Sequence, residues 1–195
     1  MTELILASGS PYRKALLARL GLDFSVMPPN IDERAEQAAN GARLSERLAL
    51  SKARAISGER PGAVVIGSDQ VAECNGRMLG KPGNVESAIE QLEFCSGREV
   101  IFYTAVSLVQ GERELLDQVP TRVRMKSLST EQIRDYVERD QPLDCAGAMK
   151  SESLGIALTE SISSDDPTAL IGLPLIAVAS MLDEMGLPVI AGLPA

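Results

Sequence analysis

A short turn ahead of a helix carries the first residues that could bind a substrate. Ser8-Gly9-Ser10 precedes Pro11, and Arg13 and Lys14 fall in the first turn of the helix that follows. The positive end of the helix dipole disfavours cations there by about 0.3–1 kcal/mol. A bound phosphate would reverse that sign, because backbone N–H groups and Arg13 would converge on it. The alternative is that both basic side chains point into water.

A lysine lies on the otherwise apolar face of a second predicted helix. Leu44, Leu48, Lys52 and Ile56 recur every four residues, which places Lys52 within the core-facing stripe. A lysine in such a stripe can run its alkyl chain along apolar surface and reach water with its ammonium group. Otherwise it projects into a cavity and needs an anionic partner. The spacing leaves both alternatives open.

A carboxylate follows a buried strand. The near-continuous apolar run from Ala63 to Gly67 is typical of such a strand, and Ser68-Asp69-Gln70 comes directly after it. Loops just beyond the carboxyl ends of strands commonly carry functional residues in α/β folds. We therefore expect the strand to end near Gly67 and Asp69 to belong to a site.

A predicted hairpin brings a cation towards that carboxylate. Asn75-Gly76 is a strong signal for a two-residue turn, which would pair Cys74 with Arg77. Counting back along both strands sets Lys81 opposite the residue after Asp69, so the two charges can lie within about one side-chain length. An ion pair that only stabilises the hairpin is the alternative to a functional role.

The overall composition excludes several kinds of site. The chain has no histidine, which excludes Ser-His-Asp triads, Cys-His dyads and imidazole metal sites. Any metal must be held mainly by oxygen, which suits hard cations such as Mg²⁺ or Mn²⁺. The net charge of -8 argues against a nonspecific nucleic-acid binder, although a local cluster of cations could still take a small anionic substrate.

Cysteine usage and the amino-terminal sequence predict a cytoplasmic protein. The three cysteines, Cys74, Cys95 and Cys145, are odd in number and far apart, which favours reduced thiols. The four apolar residues after Met1-Thr2-Glu3 are too few for a signal peptide. No apolar stretch approaches the roughly 20 residues of a membrane span.

The elements that must position these residues alternate between strands and helices. Ser10 is a natural N-cap with Pro11 after it, and Ser129 and Gln132 form a capping box for a later helix. The patterns predict strands at 4–7, 63–67, 71–74, 77–79, 100–109 and 119–126, and helices at 11–20, 44–57, 85–96, from 130 onwards, and 174–185. This mixture predicts an α/β or α+β fold. With 195 residues the chain can form one large domain or one domain of two lobes, stable without disulfides.

Several short motifs, in order along nearly the whole chain, resemble those of the Maf-like nucleotide pyrophosphatases. They are SGSPYR at 8–13, IDE at 31–33, SKA at 51–53, GSDQ at 67–70, GKP at 80–82, DCAGAMKSE at 144–152 and IGLPL at 171–175. Within that family, GSDQ together with KSE resembles the branch that acts on 7-methyl-GTP. The branch that acts on dTTP and UTP carries a Thr after the Asp and a Gln in the later motif.

The resemblance implies a role for each matching residue. Asp69 matches the family's proton acceptor, and Glu33 and Asp69 are the implied metal ligands. The positions that handle phosphate and metal are Ser8, Arg13, Glu33, Lys52 and Lys81, and those tied to base choice are Tyr12, Gln70 and Glu152. A surface carboxylate near a loop is the alternative for Glu152. Two residues depart from the family pattern: Gly9 stands where Ser or Thr is common, and Ser153 stands where Gly is expected after KSE.

The resemblance also implies the remaining properties of the protein. It implies one Maf-like domain over 1–195, with a twisted mixed sheet flanked by helices and a substrate cleft between two lobes. The expected reaction is hydrolysis of 7-methyl-GTP to 7-methyl-GMP and pyrophosphate, with a divalent cation (Mg, Mn or Co) as cofactor. A homodimer is expected, and neither a nucleic-acid polymer nor a membrane is an expected partner. The alternatives are a pyrophosphatase for dTTP, UTP or other noncanonical nucleotides and a noncatalytic nucleotide-binding regulator of cell division.

Overall fold

The residues that the structure describes form one seven-stranded mixed sheet. The computed structural model describes residues 2–33, 36 and 38–190. The strands are β1 (Leu4–Leu6), β2 (Ser25–Val26), β3 (Val64–Cys74), β4 (Arg77–Leu79), β5 (Glu99–Gln110), β6 (Arg113–Met125) and β7 (Thr159–Ser163). Their order is β2-β1-β3-β5-β6-β7, with β4 paired to β3. The pairs β1–β2 and β1–β3 are parallel, whereas β3–β4 and β6–β7 are antiparallel.

Helices flank this sheet, which confirms the predicted α/β class. They are α1 (Pro11–Ala18), α2 (Gly41–Glu59), α3 (Val85–Cys95), α4 (Thr130–Asp140) and α5 (Leu175–Glu184), with 3₁₀ turns at Ala146–Ala148, Leu154–Leu158 and Ala169–Ile171. The Ser10 cap of α1 and the Ser129–Gln132 capping box of α4 are both formed. Helix α2 begins three residues before its predicted start because the side chain of Asn40 accepts a hydrogen bond from the Arg43 amide at 2.9 Å.

The chain divides into two compact units. The first comprises the described residues of 1–69, 104–119 and 166–195, and the second comprises residues 70–103 and 120–165. The prediction of one Maf-like domain over 1–195 and that of a substrate cleft between two lobes both stay predictions. Among the described residues, no helix combines the length and the apolar character needed to cross a membrane.

Both faces of the sheet are buried in the first unit. Leu4 and Leu6 of β1 and Val64 and Ile66 of β3 pack into one core cluster with residues of α1 and α5. The residues between them, including Val65, enter a second cluster with Ala53 and Ile56 of α2. Because side chains alternate along a strand, the two faces of β3 serve different helices. The helix that a β3 residue meets therefore depends on whether its number is odd or even.

The strand β3 is longer than predicted. The sequence predicts a strand that ends at Gly67, a loop with Asp69, and a separate strand from Val71. Instead, Val64–Cys74 is a single strand, so Asp69 lies inside the sheet. The prediction was wrong about the loop because the polar residues after Gly67 interrupt the apolar run without interrupting the sheet, where β5, a strand of 12 residues, is the neighbour.

In the second unit the predicted hairpin is confirmed. Cys74 pairs with Arg77 and Ala72 with Leu79. Asn75 and Gly76 adopt φ values of 49° and 76°, as a tight turn with two left-handed central residues requires.

The predictions missed two strands, β2 in the first unit and β7 in the second. Strand β2 has only two residues, and four of the five residues of β7 are exposed, so neither strand carries an apolar pattern.

Candidate active site

A buried ion pair joins helix α2 to strand β3. The Lys52 ammonium donates a hydrogen bond to Asp69 Oδ1 at 2.6 Å. The two side chains are 7% and 11% exposed, respectively. The apolar stripe of α2 carries Lys52 inwards, and the odd-numbered face of β3 presents Asp69 to that helix. Of the two alternatives for Lys52, the structure confirms the buried lysine with an anionic partner.

The close contact between α2 and β3 depends on a glycine two residues before Asp69. A Cβ atom at Gly67 would lie 2.2 Å from the Ala49 carbonyl oxygen and 2.7 Å from the Ala53 nitrogen. The Ser107 hydroxyl of β5 donates a hydrogen bond to the same Ala49 carbonyl at 2.9 Å. The backbone of α2 therefore packs directly against the backbone of β3. This close packing places the Lys52 ammonium next to the Asp69 carboxylate.

We expect Gly67→Ala to destabilise the protein by about 1–3 kcal/mol or more, because the added methyl group forces α2 away from β3. The displacement also separates Lys52 from Asp69, so kcat/KM falls with stability. Urea unfolding and steady-state kinetics measure both effects. Gly58→Ala is the matched control. Gly58 lies in α2, the helix that packs against Gly67, and a Cβ at position 58 meets no atom within 4 Å. Equal free energies of unfolding for the two variants would contradict the close contact.

A second carboxylate reaches the same lysine. Glu33 Oε1 lies 2.9 Å from Lys52 Nζ, and the Glu33 side chain is 54% exposed. The ammonium therefore bridges a buried carboxylate and a solvent-accessible one. This arrangement brings two of the predicted metal-handling residues, Glu33 and Asp69, to one point.

The predicted phosphate-binding arginine lies within reach of both carboxylate charges. Arg13 Nε donates a hydrogen bond to the Gly172 carbonyl at 2.9 Å. The Ser68 hydroxyl donates to the same oxygen at 3.0 Å. Burial lowers the pKa of the Arg13 guanidinium below its ordinary value. The charges of Asp69 and Glu33 act in the opposite direction and offset part of that decrease. A guanidinium that is partly stripped of water interacts strongly with any anion that reaches it.

The turn before α1 is closed by a hydrogen bond between one of its side chains and its own backbone. Ser8 is buried, and its Oγ accepts a hydrogen bond from the Ser10 amide at 3.1 Å. Tyr12 is half-buried in the first turn of α1, where Lys14 is exposed. A Cβ at Gly9 would lie 3.8 Å from Pro28, which is an ordinary contact, so packing does not require the glycine that departs from the family pattern.

The other predicted site residues, Gln70, Lys81 and Glu152, belong to the second unit. Gln70 is half-buried, whereas Lys81 and Glu152 are exposed. The predicted proximity of Lys81 to Asp69 stays a prediction, and the ion-pair partner that the structure gives Asp69 is Lys52.

The segment that carries Glu152 is held at both ends by the carboxyl end of α4. Lys150 Nζ donates hydrogen bonds to the Asp140 and Gln141 carbonyls at 2.9 and 3.0 Å. The Ser153 hydroxyl lies 2.7 and 2.8 Å from the two carboxylate oxygens of Asp140. Ser153, the second departure from the family pattern, thus anchors the backbone directly after Glu152 to α4.

The three cysteines carry no disulfide. Burial raises the pKa of the Cys95 thiol to about 12 and, together with the Asp144 carboxylate, that of Cys145 to about 12. Thiols with such values are protonated at neutral pH and are poor nucleophiles. Cys95 and Cys145 are therefore not candidates for a nucleophile.

Comparison with known proteins identifies the family. The sequence profile of the Maf-like proteins matches residues 3–185. The chain belongs to the Maf-like protein family.

Its relatives are similar over almost their whole length. The Maf-like chain is 49% identical to a protein of Aromatoleum aromaticum named 7-methyl-GTP pyrophosphatase, over 95% of this chain and 97% of that one. A protein of the same name from Xanthomonas oryzae pv. oryzae is 50% identical, over 95% of this chain and 98% of its own. Another from Bordetella pertussis is 47% identical, over 99% and 97%.

A solved structure shares the fold at low sequence identity. A HAM1 protein from Coxiella burnetii has a TM-score of 0.52 and is 16% identical, over 94% of this chain and 100% of that chain. At this identity the similarity shows the fold alone, and it agrees with the mixed α/β architecture of the Maf-like chain.

Sequence reasoning missed the groups that support Arg13. It gave no role to Ser68, to the Gly172 carbonyl, or to the buried carboxylate of Asp166. The signal for Asp166 is the segment Asp166-Pro167-Thr168, because Asp and Thr two residues apart around a proline are typical of a turn closed by side-chain hydrogen bonds. Nothing in the sequence indicates which carbonyl Arg13 contacts, since Gly172 lies 159 residues further along the chain.

Proposed function

We propose that this Maf-like protein hydrolyses 7-methyl-GTP to 7-methyl-GMP and pyrophosphate. The protein is a nucleoside triphosphate pyrophosphatase, a hydrolase, as its family and its relatives' names indicate. The observation that carries the mechanism is the buried Lys52 bridging Asp69 and Glu33. Such a buried pair is costly as a purely structural device, because Lys52 and Asp69 must both be desolvated.

Asp69 is the residue to which we assign the proton from the attacking water. Lys52 engages Oδ1 at 2.6 Å, which fixes the carboxylate's orientation and leaves Oδ2 as the oxygen that accepts the proton. A positioned carboxylate of this kind supplies general base catalysis, which contributes typically 10²–10⁴-fold to the rate. Attack of this water on the α-phosphorus breaks the bond to the bridging oxygen, so that pyrophosphate leaves and 7-methyl-GMP remains.

Arg13, Lys52 and Lys81 supply the positive charge that the triphosphate requires. Within the described ranges the hydrogen bonds of the Arg13 guanidinium involve Nε, so we assign its terminal nitrogens to phosphate oxygens. The Ser8 hydroxyl, whose oxygen already accepts from the Ser10 amide, has a hydrogen to donate to the same group. Lys81 enters this assignment through the family motif.

The acidic residues fit a divalent cation. In the part of the chain that the structure describes, no cluster of three or more His, Cys, Asp or Glu residues could hold a metal ion by itself. Mg²⁺ and similar cations usually keep several waters and take one or two carboxylates together with substrate phosphates. Glu33 and Asp69, which converge on Lys52, would supply those carboxylates. When bound, the cation neutralises phosphate charge and polarises a phosphoryl oxygen.

Base choice is assigned to Tyr12, Gln70 and Glu152. Methylation at N7 gives guanine a positive charge, and a stacked aromatic face such as that of Tyr12 attracts it by about 0.5–2 kcal/mol. The Glu152 carboxylate would accept hydrogen bonds from the guanine N1–H and exocyclic amine while complementing that charge. Gln70 would contact the base or the sugar edge.

We expect 7-methyl-GTP to have the highest kcat/KM in a panel with GTP, dTTP and UTP, and Glu152→Gln to reduce that preference by about tenfold or more, because the amide loses the complementary charge. Pyrophosphate release with Mg²⁺, Mn²⁺ and Co²⁺ measures both quantities. Glu160→Gln is the matched control, since Glu160 is an exposed carboxylate of β7 in the same unit. Equal kcat/KM for 7-methyl-GTP and dTTP in the unmodified protein would refute the specificity and leave the reaction class standing.

The same panel tests whether the protein is an enzyme on these substrates at all. Nucleotide binding without pyrophosphate release under every metal condition would favour the noncatalytic regulator. Homodimerisation and a cytoplasmic location stay predictions, and sedimentation of the purified protein tests the first of them.

A further inference from the structure

A buried aspartate closes the turn that leads into α5. Asp166 is 1% exposed. Its Oδ1 accepts hydrogen bonds from the Thr168 amide at 2.8 Å and the Thr168 hydroxyl at 2.6 Å, and its Oδ2 accepts from the Ile176 amide at 2.7 Å. Helix α5 has no side-chain cap at its own N-cap residue, Pro174. Asp166 therefore accepts a hydrogen bond from an amide in the first turn of α5, ten residues further along the chain, that has no partner within the helix.

Thr168 connects the beginning of the same turn to its end. Its Oγ1 lies 2.9 Å from the Leu173 carbonyl and accepts a hydrogen bond from the Leu175 amide at 2.8 Å. Residues 169–172 are thus enclosed between anchors at both ends. A further anchor comes from β5, where the Thr104 hydroxyl donates to the Ala169 carbonyl at 2.9 Å.

The enclosed segment ends in the carbonyl that holds the site arginine. Gly172 has a φ of 126°, and its oxygen accepts from both Arg13 Nε and the Ser68 hydroxyl. Since Nε carries the side-chain hydrogen bond of Arg13 within the described ranges, the position of this oxygen decides where the guanidinium points. The turn thereby sets the direction of a charge that interacts with Asp69 and Glu33.

We propose that Asp166 and Thr168 are positioning residues for Arg13, acting through the Gly172 carbonyl. The proposal rests on the assignment of Arg13 to the substrate's phosphates. The buried Asp166 carboxylate fixes both ends of the turn, and the turn holds the guanidinium ready for an anion before the substrate arrives. Such preorganisation lowers the cost of ordering a long side chain on binding.

The test is a double-mutant cycle between Arg13→Gln and Asp166→Asn. The Asn amide at 166 can supply only one acceptor oxygen, so either the Thr168 contacts or the Ile176 contact is lost. We expect Arg13→Gln to lower kcat/KM about 10- to 100-fold and Asp166→Asn about tenfold per folded molecule. The double variant should be no worse than Arg13→Gln alone, because Asp166 acts through Arg13.

Two further measurements separate positioning from folding. Both single variants should raise KM and the inhibition constant of inorganic tripolyphosphate, whereas a smaller folded fraction would lower the apparent kcat alone. Thr168→Val, which replaces the hydroxyl with a methyl group of similar size, repeats the test if Asp166→Asn does not fold. Ser129→Ala is the matched control, because it removes the side-chain cap of α4 in the other unit and should leave both constants unchanged.

Losses that multiply in the double variant would overturn the positioning role and leave Arg13 as a phosphate-binding residue. The same conclusion follows if Asp166→Asn and Thr168→Val leave KM and tripolyphosphate inhibition as they are in Ser129→Ala. A silent Arg13→Gln would overturn the positioning role together with the phosphate assignment on which it rests.

Discussion

Asp69→Asn should lower kcat by about 10²–10⁴-fold while the protein keeps its fold. The amide is nearly isosteric with the carboxylate, but it cannot accept a proton from water and is a poor ligand for a divalent cation. Lys52 still has Glu33 as an anionic partner at 2.9 Å, so the buried ammonium is not left alone. Pyrophosphate release and the thermal midpoint, measured on the same preparation, check both parts.

Asp135→Asn is the matched control for this prediction. Asp135 is also ion-paired, to Arg139 at 3.0 Å, but both partners are well exposed and lie in the second unit. The same chemical change there should leave turnover unaltered. Asp69→Asn protein that retains more than one tenth of the normal turnover would remove Asp69 from the role of proton acceptor.

Lys52→Met should reduce both activity and stability. We expect kcat/KM to fall about 10- to 100-fold, because a charge-assisted contact to phosphate or to Asp69 is worth about 1.5–3 kcal/mol. Stability should fall by about 3 kcal/mol, near the lower end for a broken buried ion pair. The loss stays near that end because the charge of Arg13 still interacts with that of Asp69 and because Glu33 is more than half exposed.

Lys81→Met provides the comparison with an exposed lysine. Lys81 is assigned to the same phosphates but is exposed, so its loss should lower kcat/KM at least tenfold with little change in stability. Chemical denaturation together with kinetics separates the two lysines. A Lys52→Met protein with normal kcat/KM and reduced stability would make the buried lysine a structural residue only.

Local chemistry made part of this structure predictable. Caps such as Ser10 and Ser129, and the Asn75-Gly76 turn, act within a few residues, and all three form as predicted. The burial of Lys52 was one of two alternatives that its four-residue spacing allowed. The partner of Asp69 was harder to predict, because counting along the hairpin points to Lys81, whereas the contact with Lys52 depends on how closely α2 packs against Gly67.

Long-range contacts explain the features that the sequence did not reveal. The Arg13–Gly172 hydrogen bond joins residues 159 apart, and no pattern within either segment specifies the other. The polar run Ser68 to Gln70 looked like a loop because strand signals depend on apolar residues. Its place inside β3 follows from the pairing of the surrounding strands, which is a tertiary effect.

The alternation along β3 restricts how the length of the protein can vary during evolution. Ser68 contacts the turn before α5 on one face, and Asp69 contacts α2 on the other. Inserting or deleting one residue between Val64 and Ser68 would exchange the two faces and carry the Asp69 carboxylate away from Lys52. Length changes in this family should therefore accumulate at sites such as the tip of the Asn75-Gly76 turn, and the interval from Val64 to Asp69 should keep a constant length.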